Sequence, residues 1–419
     1  MSILTKYDVI VVGARCAGAA TALLLARSGH KVLVLDHAQF PSDVRLSTHL
    51  LWHHGVDRLH AWGVLPALLD TGCPPLTGFS LDMGELVLRG NPPDTLAGMA
   101  LAPRRKVLDQ VLIDAAREAG AEFRFGVTVD GVLTNEAGRV DGVRGRLQDG
   151  AAIEFSAQVV VGADGAQSRI ARAVAAPGYH EFDRQDGGCN TYAYFSGLEL
   201  DGVEFFSRPQ RMVYAWDTHD GQCLVGMIQP AAAPRAEGPA VEEAFMAELD
   251  VLAPSLATRV RAARRESDWT AVAVGTGCRQ ASGPGWALVG DAGLTVDPIT
   301  AAGMSNALRD AELLAEVLHE GLSGARPVDE ALADFGPRRD AVSVPLHLFA
   351  QDMAKLAPPT DDVIQLFGAL AGNQPQIDRY FGVFAQTVSP ADFFSPDNLQ
   401  AIMQGVPNAP GGHVDSTTP

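Results

Sequence analysis

The chain has 419 residues and carries 32 lysines and arginines against 50 aspartates and glutamates, a formal net charge of −18. Hydrophobic residues make up 47% and charged residues 20%, which supports a sizeable core and excludes wholesale disorder. So acidic a chain repels polyanions, so no nucleic-acid partner is expected. No stretch reaches the ~20 consecutive apolar residues of a membrane span. The apolar run at residues 7–12 is too short for a signal peptide and contains Asp8. Cys16, Cys73, Cys189, Cys223 and Cys278 are scattered without a CxxC pair. They read as free thiols in a reducing, cytoplasmic setting rather than as a zinc site.

Residues 7–12 (YDVIVV) form a β-branched run that stops at Gly13 and reads as a buried strand. Residues 16–28 are rich in alanine and leucine and close on Gly29, a helix with a glycine stop. Residues 31–35 are a second buried strand ending at Asp36, so the chain opens as a βαβ unit with parallel strands. Residues 46–62 read as helix, 77–88 as weakly alternating strands, and 106–119 as an amphipathic helix ended by Gly120. Four short strands follow, with DG turns at Asp141-Gly142 and Asp149-Gly150, the last running into the apolar residues 158–161. From residue 184 to residue 280 short aromatic and β-branched runs recur, with a helix near 241–252, which predicts a separate, mostly antiparallel sheet. Residues 286–290 return to buried-strand grammar before Asp291, and a helix follows over 304–318. The remainder is helical by period, and residues 405–419 read as a disordered tail.

Three of these junctions carry chemistry. The first is Gly13-Ala14-Arg15-Cys16-Ala17-Gly18. A dinucleotide site needs a glycine at the tight turn and another where helix packs on strand, so that a pyrophosphate rests on unpaired N–H groups at the helix start. Arg15 stands where the usual pattern has its middle glycine; it either adds a cation near the phosphates or points away. Asp36 lies 18 residues beyond Gly18, close to the spacing at which a carboxylate takes ribose hydroxyls. The second junction is residues 162–168, containing Asp164-Gly165 and Ser168, with Arg169 and Arg172 beyond. Taken alone it is equally a βα turn with Ser168 as helix N-cap. The third runs from Gly290-Asp291-Ala292 through Asp297-Pro298 to Gly303-Met304. A helix start beside Pro298 would aim N–H groups at an electron-rich ligand edge; the plainer alternative is strand–loop–helix punctuation.

As a set, the three motifs resemble the flavoprotein monooxygenases with one dinucleotide-binding domain, a group spanning para-hydroxybenzoate hydroxylases, flavin halogenases and geranylgeranyl reductases. The group's GxGxxG, DGxxSxxR and GDAxxxxxP patterns are met by residues 13–18, by Asp164-Gly165 with Ser168 and Arg172, and by Gly290-Asp291-Ala292 with Pro298 and Gly303. The resemblance implies an α/β fold: a Rossmann-like FAD-binding domain of the GR2 type, an inserted, mostly antiparallel β-sheet substrate domain, and a C-terminal helical region. It implies a discontinuous FAD domain at 1–75, 100–183 and 276–325, a substrate domain at 76–99 and 184–275, and helices at 326–404. FAD would be held non-covalently. Gly13, Ala14, Arg15, Ala17 and Gly18 would surround the pyrophosphate, Asp36 would take the adenosine ribose, and Val129 would lend backbone atoms to the adenine. Asp164 would belong to the cofactor site, Asp291 would take the ribityl chain, and Pro298, Gly303 and Met304 would face the flavin ring. Arg45 and Arg105 stand where the group often has arginines, Arg105 near the phosphates, with surface arginines as the plain alternative.

The reaction so implied is NADH- or NADPH-driven insertion of oxygen into an aromatic or alkene small molecule through a flavin C4a-hydroperoxide. The first alternative on the same scaffold is a reductase or dehydrogenase of the geranylgeranyl reductase type acting on C=C bonds, which the Asp297-Pro298 form of the third motif supports. The others are a halogenase and an idle flavin-binding protein. Halogenases place a lysine between flavin and substrate and carry a WxWxIP motif. Neither occurs between Lys31, Lys106 and Lys355, so chlorination is not expected. His49, His53, His54 and His60 include one i, i+4 pair but lack a carboxylate or thiol to complete a metal set, so no metal is expected. His49 is the candidate for contact with substrate or flavin. Tyr192, Tyr194, Trp216 and Met227 alternate on the second sheet and, with His49 and Pro298, are the candidate pocket residues.

Overall fold

The β-branched run Lys6–Val12 forms an inner strand of the first sheet. In the computed structural model, which describes residues 6–43, 47–183, 185–233 and 236–405, it pairs in parallel with Val32–Asp36 on one side and Ala152–Gly162 on the other. Glu122–Phe125 and Trp286–Leu288 extend the parallel order outward. Val9, Val11, Val32, Val34, Val159 and Val161 project to one face, under the helices Cys16–Arg27, Arg105–Glu118 and Gly303–Leu322. Tyr7, Ile10, Val12, Leu33, Leu35 and Val160 project to the other, onto the hairpin Val127–Thr134 and Val140–Leu147. Both faces are covered, and that is why these strands read as unbroken apolar runs instead of alternating.

The second sheet orders Gly188–Ser196, Gln222–Pro230, Arg211–Asp217 and Val203–Arg208 antiparallel to one another. Phe79–Asp82 joins Val203–Arg208 in parallel, and Val87–Gly90 lies outside it. Thr270–Ala273 pairs along the free side of Gly188–Ser196. One face, with Tyr192, Tyr194, Tyr214 and Trp216, packs against Trp52 and the C-terminal helices through Tyr380, Phe381 and Phe393. The opposite face is covered by the helices Ala240–Leu252 and Pro254–Ala262. The long C-terminal helix Val328–Ala354 is anchored to the first sheet's surroundings by Arg339, which is buried. Its guanidinium donates to the carbonyls of Gly293 (3.3 Å) and Arg279 (2.8 Å) and to the Tyr179 hydroxyl (2.7 Å).

One expected element differs. The helix read over 46–62 is confined to His53–Ala61. Ahead of it the chain is extended, because Leu51 and Leu101 exchange backbone hydrogen bonds of 2.7 and 3.0 Å. His49 takes a left-handed φ of 65°, which no helix of L-residues accommodates. Arg45 and the expected tail beyond residue 405 lie outside the described residues.

His53 opens this helix inside an apolar stack, its ring 5.4 Å from Phe79, with Trp52 a further 5.3 Å stacking partner of Phe79. Its Nδ1 finds no partner among the described residues, and burial pulls its pKa down to about 4. In an unfolded chain it titrates near 6.5. The unfolded chain therefore binds the proton more strongly, and the stability held above pH 6.5 is lost as pH falls towards and through 4. Burial lowers His49 and His54 in the same direction. Between about pH 7.5 and about pH 5, urea unfolding of the wild type should lose about 2 kcal/mol more than unfolding of His53→Leu. Parallel pH profiles for the two proteins would show that His53 is not held neutral.

Candidate functional site

A cavity of about 690 Å³ opens beyond the carboxyl ends of the strands Lys6–Val12 and Val32–Asp36, where open α/β sheets bind their ligands. Its floor is the glycine turn. Gly13 has φ +106°, and a Cβ there would sit 2.3 Å from the Ala163 carbonyl oxygen. A Cβ on Gly18 would sit 1.9 Å from the Gly13 carbonyl oxygen. The first glycine permits the turn, and the second lets the helix Cys16–Arg27 close on it.

The helix start is organised by a residue from far along the chain. Asp109, completely buried, accepts the Cys16 N–H at 3.0 Å and a 3.0 Å bond from the Arg15 guanidinium. Arg105, one turn earlier on the same helix, reaches both oxygens of that carboxylate at 3.1 and 3.2 Å. Arg15 therefore does not point away. It bends to Asp109 and to the Ser42 hydroxyl (2.9 Å), over the Phe40 ring, and still lines the cavity. Two guanidiniums against one carboxylate leave a local charge of +1, added to the positive end of the helix. Such a cradle suits an anionic pyrophosphate.

Asp36 accepts the N–H groups of Ala14 (2.7 Å) and Ala38 (2.8 Å) and lines the cavity next to His37. Asp164 accepts the Ser168 hydroxyl (2.5 Å) and the Arg169 N–H (2.6 Å), while Ser168 caps the short helix Arg169–Ala173 through the Ala171 N–H. Asp164 thus serves the plain capping role and faces the cavity as well. Val129, Thr128 and Gln167 complete this end.

At the other end stand Asp291, Pro298, Ala301, Gly303 and Met304. Asp291 is hemmed in by protein yet opens onto the cavity; burial raises its pKa, with Arg105 and Arg279 opposing. Ala301 takes a left-handed φ of 51°, turning the chain into the helix Gly303–Leu322. The first-turn N–H groups of that helix have no intrahelical acceptor. Asp297, fully buried, accepts the N–H groups of Gly188 (2.9 Å) and Ile299 (3.0 Å), so it pins the start of the second sheet to this loop. Burial raises its pKa and those two N–H groups lower it.

The second sheet contributes Asn190 and Tyr192 to the roof, with Val272 and Val274 beside them. The Tyr192 hydroxyl accepts the Ser47 N–H at 3.2 Å, and burial pushes its pKa up to about 12. His49 lines the cavity, stacks on Tyr194 at 5.9 Å and is held neutral by burial, with Arg104, Arg105 and His219 adding to the effect. Three expected pocket residues lie elsewhere. Tyr194 faces a neighbouring cavity beneath the Arg104 guanidinium, 4.3 Å from its ring. Trp216 stacks on Tyr214 at 4.6 Å and donates its ring N–H to the Thr48 carbonyl at 3.0 Å. Met227 packs on the far face with Phe245 and Leu249. The residues the sequence reading missed are Asp109, Asn190 and Ala301. For Asp109 the signal was present: Arg105 and Asp109 are four apart on one helix face.

Residues 6–345 match the FAD binding domain family, and the chain belongs to it. The chain is 31% identical over 346 residues to a menaquinone reductase of Mycolicibacterium smegmatis, covering 76% of this chain and 77% of that protein. It is 30% identical over 333 residues to digeranylgeranylglycerophospholipid reductase 2 of Methanothermobacter thermautotrophicus, covering 77% and 80%. Among solved structures, the flavin-dependent brominase Bmp2 superposes with a TM-score of 0.77 at 19% identity, over 96% of this chain and 98% of that one. That last likeness shows the fold.

The residues fit FAD. The +1 cradle at the helix start would hold the pyrophosphate, Asp36 the adenosine ribose, Asp291 the ribityl chain, and the 298–304 loop the ring. Asp109→Ala should leave Arg15 and Arg105 without their counter-charge and cost at least about 3 kcal/mol of stability. Purified Asp109→Ala should carry little flavin, measured as absorbance per protein, whereas Asp109→Asn should retain more. Full flavin content and wild-type unfolding in Asp109→Ala would dismiss this role.

Proposed function

We propose that this protein is a FAD-dependent reductase that adds two electrons and two protons across a carbon–carbon double bond of an apolar small molecule, with NADH or NADPH as electron source. The observation that supports it most is the extent of the similarity to reductases, across three quarters or more of both chains at 30–31% identity. Bound FAD would supply the two-electron chemistry. The chain's own side chains supply position and dryness. Leu50, Val272, Val274, Val296 and Pro298 give the flavin-ring end an apolar surface beside Asn190, Tyr192 and Thr295, a surface an alkene can lie on. Tyr192, with a pKa of about 12, keeps its proton at the wall of that space and is the candidate proton donor. His49, kept neutral, adds no charge that would draw water in.

Oxygen insertion is the second reading. It is favoured by the same apolar lining, because transfer of an electrophilic oxygen to an alkene requires no charged acid or base at the ring end. Reoxidation separates the two. The bound flavin is reduced without oxygen and mixed with geraniol, an isoprenoid alkenol. Reoxidation accompanied by a saturated product supports the reductase. Reoxidation only on admitting oxygen, with an oxygenated product, overturns it for the second reading. Tyr192→Phe should slow anaerobic reoxidation ~100-fold while flavin content stays unchanged; an unchanged rate would remove Tyr192 as the donor.

A further inference from the structure

The strand Gly188–Ser196 turns Asn190 and Tyr192 to one face, and both line the FAD cavity at its flavin-ring end. Asn190 is 1% exposed, and its side chain is set from the neighbouring strands. The Tyr214 hydroxyl donates to its Oδ1 at 2.5 Å. To reach it, the Tyr214 ring lies across the intervening strand Gln222–Pro230 at Gly226, where a Cβ would come within 2.2 Å of the hydroxyl oxygen. Trp216 stacks on the same ring at 4.6 Å. Burial holds the Tyr214 pKa well above its usual value, so the hydroxyl keeps the proton it donates.

That bond decides which end of the amide meets the cavity. Oδ1 is engaged from behind, which leaves the NH2 group, a donor only, for the cavity side. Nδ2 has no acceptor among the described residues, and it keeps surface instead of being closed off in the interior. The other polar groups at this end are engaged. Thr295 donates its hydroxyl to the Asp291 carbonyl at 3.0 Å, and the Tyr192 hydroxyl accepts the Ser47 N–H. A donor set among Val272, Val274 and Val296 is unfavourable until an oxygen reaches it. The cations that line the cavity are bound elsewhere, Arg15 and Arg105 to Asp109 and Arg169 to the Val129 carbonyl. The oxygen that Asn190 takes is therefore an uncharged one.

We propose that the amide of Asn190 binds a carbonyl oxygen of the substrate, and that the double bond reduced is conjugated to that carbonyl. The proposal rests on the reading of the protein as a reductase of C=C bonds and names the substrate class within it. Two positions along one strand face are about 7 Å apart. An oxygen at Asn190 and a proton from Tyr192 therefore meet the same short piece of substrate rather than a remote head group. In such an enone, hydride from the reduced flavin joins the β-carbon, the double-bond pair shifts towards the carbonyl carbon, and the carbonyl pair moves onto oxygen. The Asn190 N–H donates most strongly to that enolate oxygen, where the charge develops. The proton from Tyr192 joins the α-carbon and the carbonyl re-forms, Tyr192 recovering a proton from solvent.

The test is a binding titration of the FAD-loaded protein, without reductant, read as the perturbation of flavin absorbance. The probes are trans-3-decen-2-one and trans-2-methyl-1,3-decadiene, which has the same shape with a CH2 group in place of the oxygen. The ketone should bind ~10-fold tighter than the diene. Asn190→Leu combined with Tyr214→Phe removes both partners of the buried bond, so neither is left unpaired. The double variant should erase the ketone's advantage and leave diene binding, flavin content and the spectrum of the unliganded flavin unchanged. In the wild type, which needs no variant to fold, the infrared stretch of a carbon-13-labelled carbonyl should fall below that of the ketone in hexane. Equal binding of the two probes to the wild type, an advantage that survives in the double variant, or an unshifted carbonyl overturns the role of Asn190 while diene binding sustains the alkene reading. A double variant with altered flavin content or an altered unliganded spectrum assigns the amide to FAD and overturns the proposal as well. Failure of both probes to bind overturns the alkene reading and the proposal with it.

Discussion

The carboxylate of Asp109 is the buried charge on which the cofactor end of the molecule depends. It has no solvent contact, and it is satisfied by one backbone N–H and two guanidiniums. Its position 93 residues from Cys16 makes the local shape of the glycine turn a tertiary property. The turn supplies conformational freedom at Gly13 and close packing at Gly18, but the direction of Arg15 and the capping of the helix come from the helix that re-enters after the first excursion into the second sheet. A buried carboxylate bridging two arginines is expensive to break from either side, because each partner removed leaves an uncompensated charge. The arrangement thereby ties formation of the cofactor cradle to completion of the surrounding fold.

A comparable tie operates at the other end of the cavity. Asp297 reaches from the loop below the ring position to the first residue of the strand Gly188–Ser196. A Cβ on Gly187 would come within 2.5 Å of its carboxylate, so the two glycines at 187 and 188 leave the aspartate room. The roof made by Asn190 and Tyr192 is thereby set at a fixed height over the loop that contains Pro298. Arg339 does the same for the C-terminal helices from behind, through the carbonyls of Gly293 and Arg279. The cavity is a seam between the two sheets, joined by the buried Asp297, and Arg339 ties the C-terminal helices on from outside it.

How much of this was legible in the sequence follows from the range of the interactions. The βαβ opening was readable because its causes are local: strands covered on both faces, a glycine turn, and an aspartate at the second strand end. The extended segment before His53 was not readable, since it depends on a pairing of Leu51 with Leu101, fifty positions further on. Met227 faces away from the pocket because of strand register. Alternation within one strand is visible in sequence, but which residues of neighbouring strands share a face is set by register. Tyr192 lies opposite Gly226, and Gly226 opposite Tyr214, so these share a face; Met227 lies opposite Thr191 and Val213 and turns the other way. Asp109 could be paired with Arg105 from spacing alone, whereas its bond to Arg15 could not.

The neighbouring arginines at 104 and 105 have a consequence for how this chain can vary in length. They line different cavities, and the helix begins between them. Inserting or deleting a single residue just before that start would rotate the helical face by about 100° and withdraw both cations together, along with Asp109 one turn on. The hairpin turns at Asn135–Arg139 and at Leu147–Ala151 close through their own backbone hydrogen bonds at the surface and carry no such burden. Length variation in descendants of this sequence belongs in those turns; the few residues between Leu101 and Arg105 form a ruler whose length is set by two chambers at once.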